Sequence, residues 1–332
     1  MSLVTNADRL WSATHAEIMA GETADIYFER TQTLLAQRGI AGVPVVAEIF
    51  SRASGVLAGV SDVIHLLRGK VEQLEGLQDG DTFLPKEVLF RIKGDYRQFG
   101  LYETAVLGAL AQSSGWATAS KHCAKAAGGR PYFSFGARHV HPAVASVLDV
   151  AARLGGAAGV SSILGAKLLA EAAVGTVPHA AVLIVGDTLE TARTLVQVSD
   201  PGERSILVDT FQDEAVEAVR LAEALGHDLD GIRLDTASER GGVTPDLVKE
   251  VRKRLDLRGF THVRIFCSGN ITPERMGLLV EAGADAFGVG SYITQAPPID
   301  MTMDIKEVNG VAVAKRGRIP GITQTNRLKP LF

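Results

Sequence analysis

Only two cysteines, Cys123 and Cys267, occur in this 332-residue chain, and no CxxC spacing is present. That excludes a disulfide framework. Cys267 closes an apolar strand-like run and Cys123 sits in a helical stretch, so both read as reduced, inert thiols. Long apolar runs are missing too: none reaches membrane-spanning length, and no basic stretch followed by an apolar core opens the chain. No membrane partner is expected, and a cytoplasmic location is the default. A formal net charge of −4 without a clustered basic face leaves no electrostatic footprint for nucleic acid. Low-complexity tracts are absent, as is any internal repeat beyond a β/α period.

What is present is an ordinary globular balance of 46% hydrophobic and 22% charged residues, enough to bury one large domain and a smaller one. The organising pattern runs from Ser205 to Tyr292. Short apolar runs (Ile206 to Val208, Gly231 to Leu234, Val263 to Phe266, Ala286 to Val289) each end in small or acidic residues. Helix-length spacers follow three of them: Glu214 to Leu225, Pro245 to Leu255 and Pro273 to Ala282. Parallel strands need such crossovers. In a (β/α) barrel the strand ends share one mouth, which predicts that Asp209, Asp235, Ser268, Gly269, Gly290 and Ser291 converge there.

The last two units carry the sharpest local signal. Ser268, Gly269 and Asn270 precede a helix with Thr272 as N-cap and Pro273 in its first turn, and Gly288, Gly290 and Ser291 close the next strand. Small residues let backbone N–H groups approach an anion, and paired loops after the final strands are the usual phosphate site of a barrel. Tight turns are the plainer explanation for one such loop, less so for two in succession.

Before the barrel, TADIYFERTQTLLAQRG reads as a helix with Thr23 as N-cap and Gly39 past its end, carrying Asp25, Tyr27 and Arg30 as groups able to reach a site. Residues 43 to 95 read as short strands broken by glycine, with EVLFRIKGD alternating at strand period. The alanine-rich stretch after Phe99 gives up to two helices. YFSFGARHVHP reads as a strand delivering Arg138, His139 and His141 near its end, Pro142 opening a helix to about Leu154. GTVPHA starts another, with Thr176 before it and His179 in its first turn. From residue 297 the chain turns to strand again. The predicted divisions are 1–115, an α+β sheet domain; 116–296, the barrel; and 297–332, a tail rejoining the sheet.

Asp209 and Asp235, at neighbouring strand ends, suit a Mg²⁺ ion carrying substrate phosphates or a developing positive centre; helix capping is the rival for either alone. Arg233 lies two residues before Asp235, hence on the same face, and with Arg138 suits carboxylate or phosphate, a structural Arg–Asp pair being the alternative. His139 and His141, two apart on a strand, would share a face, yet no third ligand has a firm spacing, so no zinc is expected. At a helix N-terminus His179 is favoured as a neutral, nucleophilic imidazole.

These stretches resemble the type II phosphoribosyltransferases, most closely nicotinate phosphoribosyltransferase of the shorter, archaeal-like kind. TADIYFERT, YETAVLGAL, FGARHVHP, GTVPHA, LVDTFQDEA, IRLDT, VRIFCSGN, ADAFGVGS and APPIDMTMDIKEV carry the resemblance from about residue 21 to 317. It implies an irregular α/β barrel with a sheet domain built from both chain ends, in a homodimer or larger assembly whose neighbour helps close the active site. It also implies transfer of phosphoribose from phosphoribosyl pyrophosphate to nicotinate, with Mg²⁺ and with ATP as co-substrate. By motif, His179, Asp209 and Asp235 are the implied catalytic residues. Tyr27, Arg138, His139, Thr176 and Arg233 would bind substrate, and Ser268, Gly269, Asn270, Gly288, Gly290 and Ser291 the 5′-phosphate.

Two positions depart from that pattern: His139 stands where relatives often have a second arginine, and DTASERGG lacks a second acidic residue soon after Asp235. The base accepted is therefore open. The rivals are quinolinate phosphoribosyltransferase, against which GTVPHA weighs because that enzyme needs no ATP, a non-catalytic nucleotide-binding barrel, and a sugar-phosphate isomerase.

Overall fold

The computed structural model describes residues 9–40 and 42–332. Two compact units result, one built from 1–115 with 298–332 and one from 116–297, the division falling inside the helix Glu103–Ala126. That helix is single and 24 residues long, within the expectation of up to two. Its alanine-rich composition has no breaker strong enough to interrupt it, Gly108 and Gly115 included.

In the first unit the antiparallel pairing is long and regular. Strand Pro44–Ser51 lies between Val88–Asp95 and Met301–Val308, so a segment from the chain's far end completes the sheet, as the resemblance implied. One face buries Ile49, Leu74, Phe90 and Ile92 completely, against helix Val60–Leu67 and the fully buried Leu57. Each such side chain contributes about 1.5–3 kcal/mol on leaving water. Leu89 is buried along with Val88 and Phe90, so the alternation expected for this strand gives way in its first half to burial on both faces. The N-cap of helix Ile26–Gln37 is Asp25, not Thr23, because Thr23 and Ala24 still belong to the turn before the helix.

The second unit is a six-stranded, all-parallel sheet. Its spatial order is Gly159–Val160, Tyr132–Ser134, Ala286–Val289, Arg264–Cys267, Gly231–Leu234, Ser205–Leu207. The last strand in sequence pairs with the first: Phe287 lies opposite Tyr132 and Val289 opposite Ser134. That wrap closes the sheet towards a barrel. Its two edges, Gly159–Val160 and Ser205–Leu207, are consecutive in the chain, and the segment between them supplies helices His179–Val185 and Thr188–Val198. The barrel is thus irregular, open at one seam. Helices Glu214–Leu225 and Pro273–Ala282 fall where expected, and Pro245–Leu257 extends one half-turn beyond Leu255.

YFSFGARHVHP behaves differently from its prediction. The strand stops at Ser134, and Arg138 and His139 sit in a one-turn 3-10 helix, Ala137–His139, followed by another, Pro142–Val144, for which His141 is the N-cap. His139 and His141 therefore do not share a strand face. The neighbouring strands end here too: Ser134 pairs with Val289 and Val160, the last residues of their strands, so the chain leaves the sheet before it reaches Arg138.

Candidate active site

All the strands of the parallel sheet deliver their carboxyl ends to one side, and a cleft of about 850 Å³ opens there. It is lined by Arg138, His139, Thr176, His179, Arg233 and Asp235, and by Ser268, Gly269, Asn270, Gly288, Gly290 and Ser291. Twelve of the singled-out side chains and turns thus meet in one hollow. Asp209 and Tyr27 are not on its wall. Tyr27 belongs to the first unit, exposed on helix Ile26–Gln37 beside a smaller hollow of about 280 Å³ that also holds Asp25, Glu103 and Thr104.

Arg233 is the hub. Its Nε donates to Ser268 Oγ (2.8 Å), Nη1 to Thr176 Oγ1 (2.8 Å) and Nη2 to Asp235 Oδ2 (3.1 Å). The guanidinium lies over Phe135 at 5.3 Å and Phe266 at 6.0 Å, which stack on each other. Burial works against its charge and pushes its pKa down, with Asp235 and Asp209 acting in the opposite sense. A guanidinium stays protonated regardless. With five N–H donors and three engaged by these partners, two remain for a ligand.

Ser268, nearly fully buried, also lies 2.9 Å from Asp235 Oδ1, so the ends of strands Gly231–Leu234 and Arg264–Cys267 are stitched together. The turn that follows needs glycine at 269: its φ is +85°, and a Cβ there would stand 3.1 Å from Asp235 Oδ1. Gly290 answers to a different constraint, since a Cβ would sit 3.0 Å from the His139 ring and 3.1 Å from the Phe135 carbonyl. Both loops keep backbone close to the open space, which is what an anion held by amides requires.

His179, first residue of its helix, meets Asp209 through Nε2 to Oδ1 at 3.1 Å. Asp209 is largely buried; burial raises its pKa above the usual carboxylate range, and His179 opposes that rise. Arg138 is exposed and donates only from Nε, to His139 Nε2 at 3.3 Å, leaving its terminal nitrogens free of protein acceptors among the described residues. Burial, then the Arg138 charge, lowers the His139 pKa, which suits a neutral ring accepting from Arg138. Sequence reasoning missed Arg275, which also lines the cleft and donates to three backbone carbonyls. An arginine in the first turn of a helix gives no motif signal; only the fold puts it beside two loops.

Sequence profiles for the two domains of quinolinate phosphoribosyl transferase match this chain, the N-terminal domain over residues 25–114 and the C-terminal domain over 116–304. The chain belongs to the quinolinate phosphoribosyl transferase family. A crystal structure of nicotinate-nucleotide pyrophosphorylase from Pyrococcus furiosus is 43% identical, with a TM-score of 0.89, over 95% of this chain and 82% of that one. A probable carboxylating nicotinate-nucleotide pyrophosphorylase of Methanothermobacter thermautotrophicus is 26% identical over 289 residues, covering 85% of this chain and 95% of the relative. Nicotinate phosphoribosyltransferase pncB1 of Mycobacterium tuberculosis is 30% identical over 254 residues, 73% of this chain. The chain spans 55% of that relative's length.

The expectation of a nicotinate phosphoribosyltransferase is corrected by these findings. Membership at the level of type II phosphoribosyltransferases, and the small α+β domain with an α/β barrel, stand. The specific assignment does not, because both domain profiles are those of the quinolinate family and the nicotinate relatives match over about half their length. GTVPHA had weighed the other way as a sign of ATP use. In the fold His179 already has a partner in Asp209, so the motif has a place without ATP. Among the described residues no helix is long and apolar enough to cross a membrane.

Proposed function

We propose that this chain is a quinolinate phosphoribosyltransferase, joining quinolinate to phosphoribosyl pyrophosphate and releasing pyrophosphate and CO₂ to give nicotinate mononucleotide for NAD formation. The match of both domain profiles along almost the whole chain carries this reading. The carboxylating activity in the Methanothermobacter relative's name describes the same reaction in reverse.

The cleft is suited to the chemistry. Attack by the pyridine nitrogen at C1 of the ribose expels pyrophosphate through a centre with oxocarbenium character, so the protein must hold phosphates and place negative charge near the sugar. Asp235, on the wall and oriented by Arg233 and Ser268, is the carboxylate placed for that. Quinolinate carries two adjacent carboxylates, and Arg138 and Arg233 are two cleft arginines with donors to spare. His139, in place of a second arginine, adds an imidazole to that side. Loss of CO₂ then leaves its electron pair on the carbon next to the cationic ring nitrogen, where a proton replaces it. No protein nucleophile is needed.

A Mg²⁺ ion bound with the substrate's pyrophosphate would supply charge neutralisation for the leaving group. Asp235 fits as a direct oxygen ligand because it faces the cleft. Asp209 does not, since it is off the wall and bonded to His179, and its part is to orient that imidazole. The test is turnover with carboxyl-labelled quinolinate: labelled CO₂ should appear with nicotinate mononucleotide and without ATP. Turnover of nicotinate with no CO₂ from quinolinate would reject the proposal, as would binding of phosphoribosyl pyrophosphate without release of pyrophosphate.

A further inference from the structure

One cleft guanidinium has no part in the chemistry above. Arg275, in the first turn of helix Pro273–Ala282, donates Nη1 to the carbonyls of Gly269 (3.1 Å) and Asn270 (2.6 Å). Its Nη2 reaches the carbonyl of Val243 at 2.8 Å. These carbonyls belong to two separate loops, one after strand Arg264–Cys267 and one before helix Pro245–Leu257, and both loops line the cleft.

A trans peptide points its C=O and the N–H of the next residue in opposite directions. Drawing three carbonyls onto one guanidinium therefore turns the N–H groups of Asn270, Ile271 and Thr244 away from it. None of the three has a protein acceptor among the described residues. The backbone here is also left-handed at a residue with a Cβ: Asn270 has φ +49°, directly after Gly269 at φ +85°. Such a conformation persists only where the surroundings hold it, and Arg275 grips both of its carbonyls.

We propose that Arg275 is a positioning residue that locks the two loops into one receptor for a phosphate monoester, the 5′-phosphate of the phosphoribosyl substrate, through the amides of Asn270 and Thr244, both on the cleft wall. The inference rests on the phosphoribosyltransferase reading. It requires arginine specifically: a lysine ammonium is a single point on a flexible stem and cannot span carbonyls of two loops in a fixed fork.

Arg275→Lys and Arg275→Gln are the variants, compared with the intact chain. Calorimetry with ribose 5-phosphate and, separately, inorganic pyrophosphate distinguishes the monoester from the diphosphate. Steady-state kinetics give KM for each substrate, and thermal melting monitors the fold. Weakening of charge-assisted amide contacts should raise the Kd for ribose 5-phosphate and the KM for phosphoribosyl pyrophosphate about tenfold or more in both variants. Pyrophosphate affinity and the KM for quinolinate should stay within about twofold on the same scale. Unchanged ribose 5-phosphate binding in either variant overturns the role of Arg275 while leaving the activity assignment intact. So does an equal rise in both KM values together with a lowered melting temperature, the mark of a merely structural residue. Failure of the intact chain to bind either phosphorylated probe would overturn the phosphoribosyltransferase reading itself.

Discussion

The two units solve the same problem, burying short strands, in opposite ways. In the first, antiparallel strands alternate direction, so their ends are shared between two edges and the sheet spends its residues on a dense core around Ile49, Phe90 and Ile92. In the second, six parallel strands end on one side, and the polar residues closing them meet in a single cleft. Strand direction, more than composition, decides where chemistry collects.

Breaking the first unit should cost stability. Phe90 is fully buried, and Phe90→Ala should lower unfolding free energy by about 3–5 kcal/mol, read by urea denaturation. Breaking the second should cost function. Arg233→Ala removes the group that Asp235, Ser268 and Thr176 all engage, and kcat/KM should fall by about 10²–10³-fold. A destabilised but active Arg233 variant would contradict the contrast. A finer cut is Gly290→Ala, whose methyl would crowd His139 and the Phe135 carbonyl. Displacing the imidazole should reduce kcat/KM by roughly tenfold, on the scale of a small overpacking penalty, with the melting temperature little changed.

The smallest effect belongs to Glu103, in the first unit. Burial, with Asp304 adding to it, raises its pKa from the ordinary 4.5 to about 7. A carboxyl that binds its proton more tightly when folded contributes stability below about pH 4.5 and loses it as pH rises through about 7. Glu103→Gln should therefore flatten the pH dependence of melting across that window, and at pH 8 raise the melting temperature by about 2–4 °C. A variant that melts below the parent at pH 8 would show that the charged form is accommodated.

The same contrast explains what could be read from sequence. Barrel helices and strands were legible because each unit repeats an apolar run, a polar stop and a capped helix, so Glu214–Leu225 and Pro273–Ala282 emerge at their observed bounds. Strands of two residues, such as Gly55–Val56 and Thr82–Phe83, carry no period, and helix Val60–Leu67 is hidden by its apolar richness among strand-like neighbours. Arg138 and His139 were found as residues but misplaced as strand, since the strand stops where its neighbours stop, at Ser134, and the local sequence does not show that. Thr176 and Ser268 gain their meaning only through Arg233, and Arg275 through two loops about 30 residues apart, roughly the span of one βαβ unit. The substrate escaped because barrel and phosphate loops are shared across the relatives, whereas the base contacts a few groups whose partners are set in three dimensions.

Diffraction from crystals soaked with phosphoribosyl pyrophosphate and phthalate, a dicarboxylate that matches quinolinate but lacks the attacking nitrogen, is the most direct check. The account predicts a phosphate against the turns at Asn270 and Ser291 and the two carboxylates at Arg138 and Arg233. Ligand density away from the strand ends, or carboxylates that touch neither arginine, would contradict it.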